Sequence, residues 1–119
     1  MKEQNPQNSH DREIDRFILD CIDSVPHLEA LLLLWRSRPR AWTEEQIGKR
    51  LYLENGAASE VMEGLVRHGL VAPVPGRSRH YRYEAGERDK ALSAVDTAHR
   101  KDLIRISTMI RKKSARSAE

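Results

Sequence analysis

Between Ser59 and Tyr83 the chain reads SEVMEGLVRHGLVAPVPGRSRHYRY, and no other segment limits the fold as tightly. Ala58, Val61, Met62 and Leu65 recur at helical spacing, so a helix with one apolar face spans about residues 57 to 68. Gly69 stops it. Leu70 to Val74 then reads as a strand, Pro75-Gly76-Arg77-Ser78 as a hairpin tip, and His80 to Glu84 as the return strand. In that return strand Tyr81 and Tyr83 alternate against His80 and Arg82. A helix running straight into a basic hairpin is the unit around which the other elements must be arranged.

The preceding elements read as helices. Ile14, Phe17, Ile18, Cys21 and Ile22 form one apolar stripe, so a first helix begins near Asp11, after a polar arm over residues 1–11 that is expected to be disordered. Ser24 caps a second helix, with Pro26 in its first turn, where a missing N–H costs nothing. That helix runs to about Arg36, and its segment HLEALLLLW is apolar on nearly every side, the pattern of a central helix touched by several neighbours. SRPRAW, Ser37 to Trp42, is expected as a loop, because Pro39 blocks continuation. Thr43 opens a third helix with a capping box closed by Gln46, and Ile47, Leu51 and Tyr52 face inward. Asn55-Gly56 ends it in a tight turn. A last helical region covers about 86–112, with Leu92, Val95, His99, Leu103, Ile106 and Ile110 in one stripe about 40 Å long if unbroken. Residues 113–119 form a basic, frayed tail.

Composition narrows the function classes. The 119 residues suffice for one domain, and residues 12–85 are its expected extent. The single cysteine, Cys21, excludes an intrachain disulfide and a cysteine-based zinc site; on its apolar stripe it reads as a small buried hydrophobe. The polar start of the chain is unlike a secretory signal, and the longest apolar run, Ala30 to Trp35, is too short to span a bilayer, so a cytoplasmic location is expected. The five histidines are scattered without ligand spacing, and no phosphate-binding glycine loop, paired carboxylates or nucleophile triad is present. No enzyme, metal or cofactor is expected. Trp35 and Trp42 read as packing at the edge of the second helix.

Charge is unevenly placed. Residues 1–34 carry three Lys/Arg against seven Asp/Glu, while residues 35–119 carry eighteen against eleven. Two stretches lack acids altogether: Ala30 to Thr43, with Arg36, Arg38 and Arg40, and Leu65 to Tyr83, with Arg67, Arg77, Arg79 and Arg82. An anionic partner, nucleic acid before membrane, follows from that asymmetry.

The order of these elements resembles that of winged helix-turn-helix transcriptional regulators of the MarR/PadR-like superfamily. QIGKRLYL resembles the first helix of their helix-turn-helix, LVRHGLV the exit from their recognition helix, and GRSRHYRYEAGERDKAL a wing entering the terminal helix. The resemblance covers about Val25 to Ala91. It implies a mainly α fold with a small β-hairpin wing and an extended C-terminal helix. It also implies a DNA-binding regulator with helix 57–68 at the major groove. Wing contacts to phosphate fall to Arg77, Ser78, Arg79, His80 and Arg82. Further contacts fall to Lys49, Ser59 and Arg67 and to Arg36, Arg38 and Arg40 of the loop.

The C-terminal stripe either packs on the first helix or pairs with its twin. A homodimer through Leu92, Val95, Leu103, Ile106 and Ile110 is the expectation, because a domain this small leaves its last helix little to cover. One feature departs from the pattern: Glu60, Glu63 and Gly64 lie with Arg67 on the outward side of helix 57–68, so two carboxylates face the groove. A protein partner using that acidic face is the alternative.

Overall fold

The computed structural model describes residues 6–54, 56–84 and 86–118, with side chains described between 12 and 113. It is mainly helical with one small antiparallel sheet. Helix α1 (Pro6–Cys21) is followed by α2 (Val25–Arg36), strand β1 (Trp42–Thr43), α3 (Glu44–Leu51) and α4 (Ala57–Arg67). Strands β2 (Val71–Pro73) and β3 (His80–Tyr83) form the hairpin, and a 3-10 turn leads into α5 (Asp89–Lys101) and α6 (Leu103–Ala118).

Local chemistry accounts for most of these boundaries. Ser24 adopts extended backbone and its hydroxyl accepts from His27 N–H at 3.4 Å, capping α2. Both bonds of the Thr43 capping box form, each at 3.0 Å. The core is built as expected around α2, whose Leu28, Leu31, Leu32 and Leu34 are buried among Ile18, Ile22, Ile47, Met62 and Leu65.

Several expectations are corrected. Helix α1 starts at Pro6, inside the stretch expected as a disordered arm, with proline at a first-turn position that suits its fixed φ; residues 1–5 lie outside the described residues. Likewise α6 continues to Ala118, through most of the expected tail. Tyr52 does not face inward. It terminates α3 in the left-handed region (φ 58°), which swings its side chain out to 93 % exposure, and Leu53 packs on the core in its place. The 37–42 loop hides a strand: β1 pairs with β3 in the register Trp42↔Tyr81 and Thr43↔His80, making the sheet order β1-β3-β2. Asn55 of the expected turn lies outside the described residues.

The C-terminal region is two helices rather than one. Asp102 leaves helical geometry (φ −142°, ψ 58°) and its carbonyl accepts from Ile106 N–H at 3.2 Å, so an aspartate, a favoured N-cap residue, restarts the chain as α6. The break turns α6 alongside α1, where Arg105 pairs with Asp15 at 3.1 Å and Lys113 donates to the Ile22 carbonyl at 2.7 Å. As a result Leu92, Val95, Ile106 and Ile110 are buried in the chain's own core, and of the five residues expected to dimerise only Leu103 is exposed. Within the chain, α1 and α2 cover that apolar surface. Among the described residues no helix is long and apolar enough to cross a membrane.

Candidate functional site

The tip of the β2–β3 hairpin is closed by backbone bonds. Val74 N–H donates to the His80 carbonyl at 2.8 Å and Arg77 N–H to the Val74 carbonyl at 3.2 Å, closing the tip around Gly76 (φ 77°). Arg79 also takes positive φ, 58°, which costs a non-glycine residue on the order of 1–2 kcal/mol. What that conformation provides is an acceptor: the Arg79 carbonyl receives Glu44 N–H at 3.2 Å, satisfying an orphan donor at the start of α3 and tying the hairpin tip to that helix.

The arginines expected to act together have different circumstances. Arg77 and Arg79 are exposed at the tip beside Ser78, and neither makes an ion pair among the described residues. Arg82 differs in being paired with Glu84 at 3.1 Å, both side chains being exposed. His80 Nδ1 lies 2.9 Å from the Ser78 carbonyl, an intra-turn contact that stiffens the tip. Lys49 sits 3.7 Å from Glu45, one turn earlier on α3, an exposed pair worth little and easily exchanged for another anion.

Arg36 is removed from the site. Its Nε–H donates to Asp96 Oδ1 at 2.7 Å, its Nη2 joins the same carboxylate, and Arg100 reaches Asp96 Oδ2 at 3.2 Å. Asp96 is buried, so it requires these cations, and the Arg36 guanidinium, though still partly open to solvent, is committed to that carboxylate on α5.

Helix α4 presents Ser59, Glu60, Glu63 and Arg67 outward, with Ser59 Oγ–H donating to Glu63 at 3.4 Å. Between α3, the start of α4 and the wing lies an open cleft of about 670 Å³. Glu44, Glu45 and Glu54 line it against Lys49 and Arg79, with Ser59 at its edge. Glu44 also accepts from the Tyr81 hydroxyl at 2.9 Å; burial and that bond push the phenol up to about 12.

Gly64 corrects the outward reading of that helix. It is buried beneath His27, and a Cβ placed on it would lie 2.6 Å from His27 Nε2. Sequence spacing gives no hint of this contact, since the two residues belong to different helices. Two further features escape a reading of the sequence. Arg38 stacks over the Trp35 ring at 4.5 Å and Arg40 over the Trp42 ring at 4.1 Å. Their one signal is spacing, arginine three after one tryptophan and two before the other. No protein-family model, curated protein or solved structure matches this chain.

Proposed function

We propose that the chain is a DNA-binding regulator of the winged-helix class, which holds duplex phosphates through Arg77 and Arg79 and lays α4 at the major groove. The observation that carries this reading is the pair of exposed guanidiniums, without an ion pair among the described residues, on a tip braced against α3. The sheet order β1-β3-β2, with α3 and α4 leading into the hairpin, supports it. Lys49 lines the cleft beside Arg79. With Glu60 and Glu63 outward on α4, affinity comes mainly from phosphate contacts and sequence discrimination is weak. A dimer built on the C-terminal stripe is not part of the reading.

The test is fluorescence anisotropy with a random-sequence duplex across a salt series. Arg77→Ala with Arg79→Ala is expected to weaken binding uniformly across sequences and to lower the salt slope by about one unit per arginine. Arg36→Ala, whose charge belongs to Asp96, is expected to leave the slope unchanged. A wing double mutant that binds as the wild type does overturns the wing's role.

A second reading is favoured by the exposed carboxylates of α4, Glu60 and Glu63: a module docking a protein partner on the acidic face of that helix. Absence of duplex binding at low salt selects it, because a phosphate binder retains nonspecific affinity there.

A further inference from the structure

The stacked arginines of the α2–β1 loop have no part in the wing reading, and they are unusually well held. Trp35 Nε1–H donates to Asp89 Oδ1 at 3.3 Å, and Trp42 Nε1–H donates to Ser37 Oγ at 2.8 Å, so both rings are fixed from behind. Ser37 is itself anchored, its hydroxyl donating to the Leu33 carbonyl at 2.7 Å. Asp89, the carboxylate that meets this platform, also accepts from the Tyr83 hydroxyl at 2.7 Å, so neutral donors occupy it. Arg38 is anchored twice, since its Nη1 donates to the Trp35 carbonyl at 2.6 Å.

Both guanidiniums are nonetheless exposed, and neither makes an ion pair among the described residues. A guanidinium held over an indole face by a cation–π contact keeps N–H donors free for an anion, and a guanidinium's forked donors match a phosphate. The rotamer freedom that a loose arginine gives up on binding is already lost here, so capture of an anion meets a smaller entropic penalty.

We infer that Arg38 and Arg40 form a second phosphate site, which takes the backbone of the same duplex that the wing tip holds; this rests on the nucleic-acid reading above. The sheet supplies the track. β1 is an edge strand, paired only with β3, and its far end meets the wing where the Arg79 carbonyl receives Glu44 N–H. Arg40 and Thr43 are three steps apart in the chain, at most about 10 Å of extended backbone at ~3.3 Å per residue. The next residue, Glu44, touches the Arg79 carbonyl. The loop and the wing tip therefore lie close enough to meet the backbone of one duplex.

Trp35 and Trp42 are the chain's two tryptophans and each ring lies under one of these arginines, so intrinsic emission reads the loop directly and the wing tip only through the Trp42↔Tyr81 pairing. The full chain is titrated with a random 24-base-pair duplex at several salt concentrations, following tryptophan emission and the anisotropy of the labelled duplex together. Emission is expected to change in step with anisotropy. Arg38→Gln with Arg40→Gln, which keeps most of each stem, is expected to lower the salt slope by about two units. The affinity lost between 50 and 200 mM salt then shrinks about 12-fold.

Wild-type emission that stays constant while anisotropy saturates overturns the second site without recourse to any variant. So does a Gln double mutant, folded by circular dichroism, that binds with the wild-type slope while the wing double mutant weakens; in that case the wing reading stands alone. Polyglutamate that shifts emission while the Gln mutations leave duplex affinity unchanged identifies an acidic protein as the partner, and also overturns it. A wild-type chain with no duplex affinity at low salt removes the nucleic-acid reading itself.

Discussion

Replacing Gly64 by alanine separates what helix chemistry expects from what tertiary packing imposes. In an exposed helix interior the change stabilises by about 1 kcal/mol, because glycine has more backbone freedom to lose. Gly64 is buried, however, and the new methyl would sit 2.6 Å from His27 Nε2 and 2.9 Å from its Cδ2. Ordinary contact requires the ring to retreat by about 1 Å, or α4 to move away from α2. The ring is not free to retreat, since its Nδ1 lies 2.5 Å from the Ser24 hydroxyl that caps α2. Overpacking of this kind costs about 1–3 kcal/mol, and loss of a hydrogen bond adds about 1 kcal/mol. Set against the propensity gain, Gly64→Ala is expected to destabilise by roughly 1–2 kcal/mol, a fall in Tm of about 4–10 °C for a domain of this size. Circular dichroism on heating and urea unfolding measure it. Adding His27→Ala removes the obstacle, so the double mutant is expected to lose less than the two single mutants summed, by at least about 1 kcal/mol. A Gly64→Ala protein that melts above the wild type refutes the packing argument.

Two further outcomes follow from the same geometry. Burial lowers the proton affinity of both His27 and His99, with nearby positive charge adding to it (His68 and Arg67 beside His27, Arg36 beside His99). In the unfolded chain each ring titrates near 6.5. Below that value the unfolded state binds more protons than the folded one, so their contribution is complete above about pH 6.5 and declines as pH falls toward their lower folded values. Urea midpoints measured from pH 8 to pH 5 are expected to fall on the acid side, with a shallower fall in His99→Gln; midpoints that rise toward pH 5 contradict this. Tyr52→Gly is expected to stabilise by up to about 1 kcal/mol in thermal melts, because an exposed tyrosine occupies the left-handed position that glycine adopts without strain; a lower melting point would show that the tyrosine has a structural role.

Contacts three or four residues apart are legible in the amino-acid sequence. The Thr43–Gln46 box, the Ser24 cap, the apolar face Ala58-Val61-Met62-Leu65 and the Gly76 turn are all fulfilled. Of the candidate site, the exposed pair Arg77 and Arg79 is legible in the same way, as basic residues at a hairpin tip where the chain turns back on itself. The Asp102 break has a local signal too, since an aspartate four residues before Ile106 is a favoured N-cap, but the continuous apolar stripe conceals it.

The sequence by itself determined the four helices and the hairpin that follows them, the caps of α2 and α3, and the face that each of the central helices buries. Those follow from backbone geometry and side-chain spacing within a few residues, where no distant partner is needed. Only the tertiary structure decided which charges remain open to a partner and which apolar faces are covered. Arg36 and Arg38 stand two positions apart in one acid-free stretch, yet the first is paired with Asp96, sixty residues on, and the second lies over an indole without an ion pair among the described residues. The C-terminal stripe has the same periodicity whether it meets α1 or a twin, and packing selects α1. Gly64 reads as a weak point in a helix until His27 arrives from α2 to fill the space. Each of these outcomes depends on a partner remote in sequence, and the energy that chooses among partners exists only once the helices are packed together.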